Sequence, residues 1–492
     1  MSLIPLTIPP GVYRNGTELQ SSGRWYDANL VRWHQGTIRP VQGWRVRSTS
    51  AVSGAARGLL SWKDNSANPW AGVGTHTGLY VMSVAGVVSN ITPTGFTAGI
   101  ADSTYKSGYG AGAFGVGYFG VPIQNTTTIT PATTWSMDSW GEYLVACSTS
   151  DGKLYEWQLN VSTPAAAISG APTGCTAVMV TSERFVFALG ANGNPRLVKW
   201  CDQENNTSWT PTTLNQAGDF ELATPGNLVA GKRVRGINLL WTDEDCHAAT
   251  YIGQPFVYSF EKIGAGCGLI SAQAVAIASD VSAFWMSSNG FWVYDGSVKP
   301  LPSDVGDYVF RNLNVAQQSK TYAVHNSEFG EVWWFYASNS STEVDSYVSY
   351  SYREGHWSIG QIARTCGTGK GAFERILMVG TDGYVYEHEV GFEYDGAMGY
   401  AESGPVQLSA GDNVMSVVEL IPDELTQGEV TATFKTKFYP NATESSYGPY
   451  SMSNPTSVRF TARQVKMRID ASTNSNWRVG TMRIDAIASG RR

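Results

Sequence analysis

Side chains able to do chemistry are few in this chain, and their spacing is uninformative for catalysis. The six histidines, at 34, 76, 247, 325, 356 and 388, never stand in H-E-x-x-H or another metal-ligand spacing. The densest ionisable cluster, Asp243-Glu244-Asp245-Cys246-His247, has the donor types of a metal site. It follows the apolar run Leu239-Leu240-Trp241, however, and consecutive strand residues point to opposite sides, so it reads as a turn between strands. Gly367-Thr368-Gly369-Lys370-Gly371 resembles a phosphate loop only superficially. The first glycine of that motif would fall at Arg364, and Gly371 stands where a hydroxyl residue is needed. Ser148 to Trp157, around Asp151-Gly152, resembles an Asp-box turn of sialidase-like propellers, which is a structural turn and not a catalytic group. A sialidase also needs converging arginines, a tyrosine nucleophile and an acid, and no spacing here singles out such a set. The six cysteines stand singly at 147, 175, 201, 246, 267 and 366, without the short spacings of a zinc site or a disulfide framework, and are expected to be reduced core residues. No residue set calls for a catalytic group, a cofactor or a metal.

The elements that carry these residues repeat. Ala283 to Tyr294 places two apolar β-forming runs around Asn289-Gly290, the strongest short hairpin signal. The same grammar recurs at Tyr143 to Trp157 and at Ile376 to Tyr386, with weaker copies elsewhere. Units beginning at Leu59, Trp140, Glu183, Ile237, Ala283, Glu331 and Ile376 are 81, 43, 54, 46, 48 and 45 residues apart. A blade of four short strands needs about 40–45 residues, and a lone hairpin cannot bury its apolar face, so the copies must close into a ring. The fold expected is all-β: a β-propeller of six or seven blades over 51–390, an N-terminal extended arm over 1–50, and a C-terminal β-sandwich-like platform domain over 391–492. In the last, 414–420, 429–439, 457–470 and 477–487 alternate as strands do.

The long first step contains a projecting loop at about 94–137. Its middle, Gly108 to Gly120, holds six glycines in thirteen residues. Such a stretch packs no core of its own, so Tyr109, Phe114, Tyr118 and Phe119 are expected to meet a partner surface. The N-terminus lacks the basic start of a signal peptide, and nowhere do 18 apolar residues run together as a membrane span requires. The net charge of −7 is divided: residues 1–50 hold six arginines against Glu18 and Asp27, a net +4, and 455–492 a net +6, leaving −17 between them. Basic ends on an acidic body imply docking, on the same chain or on a neighbouring copy. Arg463, Arg468, Arg478 and Arg483 are the candidate interface cations, because arginine forms planar, bidentate pairs.

The chain as a whole resembles a known family. Pro9-Pro10-Gly11-Val12-Tyr13-Arg14-Asn15-Gly16-Thr17-Glu18 with Gly23-Arg24-Trp25-Tyr26, the Tyr/Gly-rich loop, Trp140 to Leu144, Trp200-Cys201-Asp202 with Trp209-Thr210-Pro211, Phe284 to Gly296, and Asn476 to Gly480 resemble the tail nozzle proteins of short-tailed bacteriophages. These are also called tail hub or packaged-DNA stabilisation proteins. The resemblance implies a non-enzymatic virion protein, made in the bacterial host cytoplasm and carried in the tail. It implies a homo-hexameric ring below the head-to-tail adaptor, helping to retain and then eject the genome and anchoring fibres or spikes. Double-stranded DNA would pass through without sequence-specific binding, which an acidic or neutral wall permits and a basic wall would stall. The alternative reading is a carbohydrate-binding or sialidase-like β-propeller, since exposed Trp and Tyr also bind sugar rings.

Overall fold

A computed structural model describes residues 3–108, 123–407, 413–488 and 490, and the protein is built almost wholly of antiparallel strands. Seven four-stranded sheets form seven propeller blades. Blade 1 spans 56–90, blade 2 135–167, blade 3 177–221, blade 4 228–265, blade 5 275–301 and blade 6 322–361. Blade 7 takes Arg364–Thr368, Ile376–Gly380 and Val385–His388 from one stretch of chain and its outermost strand, Trp44–Val46, from the other end. The register there pairs Tyr386 with Val46, Glu387 with Arg45 and His388 with Trp44. First and last parts of the propeller are thereby hydrogen-bonded together, and the ring is closed by backbone as well as by packing.

Turn chemistry explains why each unit folds locally. Asp151 accepts a hydrogen bond from Lys153 N at 3.2 Å and one from the Tyr155 hydroxyl. Asp382 repeats the arrangement with Tyr384 N at 3.1 Å and the Tyr386 hydroxyl at 2.6 Å. Asp-Gly-x-x-Tyr is thus a self-contained hairpin device, in which the carboxylate ties the turn backbone to the returning strand. Between blades, buried indoles do the stitching: Trp135 donates to the Thr75 carbonyl at 2.7 Å, Trp62 to that of Glu142 at 2.9 Å and Trp334 to that of Ala274 at 3.1 Å. Trp135 fits flush because its neighbour is Gly74, where a Cβ would lie 2.2 Å from the indole.

Residues 391–492 contribute most of a two-sheet sandwich. One sheet orders Leu3–Pro5, Arg483–Ala488, Met415–Ile421 and Thr456–Ala462. The other orders Trp25–Asn29, Tyr400–Ser403, Gln464–Ala471, Val430–Lys437 and Ser445–Ser451, with Val406–Gln407 beside Gln464–Ala471. Strict alternation along Val430–Lys437 buries Val430, Ala432, Phe434 and Thr436 between the sheets. The single run expected over 457–470 is two strands that change sheets at Arg463, and 477–482 is irregular, with Trp477 buried and Val479 bridging Ile38 and Glu424. An alternating pattern cannot reveal such a corner, because the inward face continues on both sides of it.

The first fifty residues thread through both parts. Leu3–Pro5 and Trp25–Asn29 lie in the sandwich, Val31–His34 and Thr37–Pro40 form a hairpin, and Trp44–Val46 closes the ring. Arg32 is the anchor. Its guanidinium is buried, bonded through Nη1 to Glu389 at 3.0 Å, through Nη2 to Glu389 again, and to Glu331 at 3.1 Å, with the Phe329 ring 3.7 Å away. Trp333 Nε1 donates to Glu331 at 2.8 Å and Asn326 Nδ2 to Glu389 at 2.9 Å, so the surplus carboxylate charge is hydrogen-bonded. Burial opposes the charged guanidinium, but the two glutamates outweigh it and hold Arg32 above its usual value. Arg32→Met, leaving two buried carboxylates unpaired, is expected to cost about 3–5 kcal/mol of stability in a urea titration.

His388, beside the closing strand, accepts a hydrogen bond at Nε2 from Arg364 Nε at 2.9 Å, and its ring lies 5.3 Å from that of Trp44. Burial first, then the Arg364 charge, push its pKa well below the usual histidine value. The unfolded chain therefore binds the proton more readily, and stability falls as pH drops below about 6.5. The protection factors of the amides of Trp44–Val46, the intrinsic exchange rate at each pH divided by the observed one, should fall between pH 7.5 and 5. His388→Gln, which keeps an acceptor but cannot take the proton, should flatten that dependence.

Candidate functional site

The ionisable cluster at 243–247 is structural. Asp245 is buried and accepts from Thr224 and Thr242 hydroxyls at 2.9 and 2.6 Å, faces His247 Nε2 at 3.0 Å and pairs with Lys262 at 2.6 Å. Burial pushes this carboxyl upward, yet the bonds from Lys262, Thr242 and Thr224 outweigh it and hold it below the usual carboxylate range. Its oxygens are spent on holding the turn that starts the second hairpin of blade 4. Among the described residues no group of three His, Cys, Asp or Glu side chains could hold a metal ion. All six cysteines are buried free thiols, and burial pushes Cys175, Cys201 and Cys366 each up to about 12, the opposite of a reactive thiolate.

What the fold presents instead is a set of surfaces. The linker between blades 1 and 2 runs over the face where the inner strands begin and sends out a hairpin, Thr104–Gly108 paired with Ile123–Thr130. Its root is clamped. Buried Arg57 holds Glu343 bidentately at 3.0 and 2.7 Å and donates to the Ala101 carbonyl at 3.0 Å. Lys320 Nζ bonds Asp102, and Gln317 exchanges two 3.0 Å bonds with the backbone of Ser103. These partners belong to blade 6 and its lead-in, so the hairpin is held from two sides. Nearby, Gln273 at the start of blade 5 donates to the Trp135 carbonyl of blade 2 at 2.6 Å, bridging the propeller axis on this face. Tyr109, Phe114, Tyr118 and Phe119, the expected contact aromatics, lie outside the described residues.

The four candidate arginines have different surroundings. Arg468 pairs within the sandwich, with Nε at 2.9 Å from Asp470, Nη1 at 3.4 Å from Glu402 and the guanidinium over the Tyr400 ring at 3.7 Å. Arg478 is half-buried in the irregular stretch and close enough to Arg39 to lower the pKa of that guanidinium, behind burial as the larger cause. Arg463 is half-buried at the strand corner, and Arg483 is exposed on the sheet surface. Five of the six arginines of the first fifty residues meet acids of the same chain: Arg14 with Asp27, Arg24 with Asp304, Arg32 with Glu331 and Glu389, and Arg45 and Arg47 with Glu387.

Composition signalled basic ends and an acidic body; which acids they meet depends on tertiary placement. The sequence reading also missed an aromatic groove of about 550 Å³ between blades 3 and 4, where Phe220 and Phe260 stack at 4.5 Å beside exposed Phe256 and Ile252. Its residues sit in separate strands, so no local pattern marks them.

Fold and surfaces together define an all-β protein, a seven-bladed propeller joined to a β-sandwich. No protein family matches the chain, and no curated relative does. Among solved structures it is similar to virginiamycin B lyase from Staphylococcus aureus, at 6% identity over 70% of this chain and 99% of that one, with a TM-score of 0.44. It is also similar to YCF48 from Cyanidioschyzon merolae, at 8% identity over 70% of this chain and 98% of that one, with a TM-score of 0.39. Values this low carry no argument about activity. Among the described residues, no helix is long and apolar enough to cross a membrane.

Arg57→Leu should leave the blades folded but free the hairpin root, since it removes the bonds to Ala101 and Glu343. A loss of about 1–3 kcal/mol in stability and faster limited proteolysis within 101–134 are expected. Unchanged cleavage would show that the root is held by other contacts.

Proposed function

We propose that this protein is a structural component of a bacteriophage tail, a nozzle or hub subunit that assembles as a hexameric ring below the head-to-tail adaptor. In this role it continues the DNA channel, helps retain and then eject the genome and anchors fibres or spikes. The observation that carries the reading is where the family-like residues lie. Gly11 and Val12 pack on blade 6, with Val12 N bonded to the Trp357 carbonyl at 2.8 Å, and Trp25 and Trp477 are buried in the sandwich. Part of the resemblance thus lies on segments that join propeller to sandwich, the feature a rigid ring subunit needs, and the rest on blades 2, 3 and 5 and on the Tyr/Gly-rich loop.

Further support comes from the clamped, outward hairpin, a natural connector for a ring closed by heterologous contacts. Gln273 bridges the propeller axis, so a duplex would run between subunits and not through a propeller. The alternative, a carbohydrate-binding propeller, is favoured by one feature, the exposed stacked pair Phe220 and Phe260.

Mass photometry of the 53.2 kDa chain, alone and with the adaptor, tests the proposal. Six-fold rings are expected, and an unassembled chain that turns over sialosides or binds glycans would overturn it. Arg483→Glu should weaken assembly in a salt-sensitive way with melting unchanged, because this side chain is exposed. Arg468→Glu should instead lower the melting temperature of the subunit itself, because its partners Glu402 and Asp470 are its own.

A further inference from the structure

The propeller axis contains a well with a charge opposite to that of the acidic body. Its inner part, about 270 Å³, is lined by the inner strands of blades 1, 4, 5, 6 and 7, including Leu60, Lys232, Ile277, His325, Thr368 and Lys370. An outer part of about 480 Å³ continues from the same Leu60, Lys232 and Ile277 toward Arg233 and Arg235, with Asp138 and Asp280 also on its wall. Gln273 belongs to the inner wall and bridges the axis to Trp135, so the well is blocked on the face that carries the hairpin. No carboxylate lines the inner part among the described residues.

Lys232 is the unusual member. It is part-buried, and among the described residues its ammonium has no hydrogen-bond or ion-pair partner. Asp138, the acid whose charge acts on it, is engaged with Arg233 at 3.3 Å and with Val180 N at 2.8 Å. Facing it across the well is the glycine-rich segment 367–371. A Cβ at Gly369 would lie 2.7 Å from the His325 carbonyl oxygen, so only glycine lets this segment press against blade 6 and bring Thr368 and Lys370 to the cavity. His325 is engaged with the Tyr352 hydroxyl at 3.0 Å. The segment that fails as a nucleotide loop by spacing thus has cationic company that spacing cannot show.

We propose that this axial well binds a small molecule bearing a phosphate or carboxylate group, with Lys232 and Lys370 as its cationic wall and Thr368 as a hydroxyl donor. Lys232 places an ammonium without an anion on the wall of a cavity that holds a second cation, Lys370, and a bound anion supplies the missing partner. Burial depresses Lys232 below the usual lysine value, and Asp138 does not offset it, which is the electrostatic signature of an uncompensated amine.

The test uses the full chain with inorganic phosphate and with citrate, against sodium chloride at matched ionic strength, by thermal melting and calorimetry. The wild type should bind one anion per chain and melt about 3 °C higher at a hundredfold excess over Kd. Lys232→Met should melt above the wild type in chloride, having lost an unpaired amine, and should show no anion response. Lys370→Gln, at an exposed rim position, should fold normally and bind about tenfold more weakly. The proposal is overturned if neither anion shifts the wild type beyond the chloride control. It is equally overturned if Lys232→Met responds like the wild type, or if Lys370→Gln binds with unchanged affinity.

Discussion

Closure of the ring is the constraint on which the rest of this structure depends. Seven sheets stacked around an axis leave the last blade one strand short, and three residues near the N-terminus, Trp44–Val46, supply it. A three-residue strand makes too few hydrogen bonds to hold a ring by itself. Its hold comes from what flanks it: Arg32 buried between Glu331 and Glu389 on one side, and the Trp44 contacts with His388 and Tyr394 on the other. A buried ion network adds little net energy against an apolar substitute, but it tolerates no missing member, so it specifies where the segment docks. Because the same segment also places Trp25–Asn29 in the sandwich, closing the propeller and fixing the second domain are one event.

The charge division follows the same logic. An acidic body with basic ends suggests attraction to something outside, yet most of the N-terminal arginines are used inside the chain. Arg32, Arg45 and Arg47 hold the first segment on blades 6 and 7, Arg24 holds it on the connection between blades 5 and 6, and Arg14 pairs with Asp27 of the sandwich. Arg468 is likewise turned inward, toward Glu402 and Asp470. The surface left by these pairings includes exposed Arg483, the clamped hairpin and the aromatic groove of blades 3 and 4. Charge that is satisfied internally contributes to register, and charge left over contributes to recognition.

A propeller lends itself to many activities, so the use of each polar group decides between them. Here Asp245, of the one cluster with a metal site's donor types, holds a turn, as Asp151 and Asp382 do, and the cysteines fill the core. Among the described residues, Lys232, on the axis where inner strands from several blades converge, is a polar group without such a task.

Repeat length, hairpin turns and the all-β class were legible in the sequence, because an Asn-Gly or Asp-Gly turn and the alternation around it are local properties of ten or twelve residues. The long first step pointed to the blade 1–2 linker, and its root proved to be a hairpin held by Arg57. Four things were decided only by tertiary structure: the closing strand, the change of sheets at Arg463, the partners of Arg32, and the grouping of Lys232 with Lys370. Each joins residues far apart in the chain; Val46 meets Tyr386 and Arg32 meets Glu389. Turn residues and alternation state what a segment does with its own neighbours, whereas these pairings exist only once seven blades have been brought round a common axis.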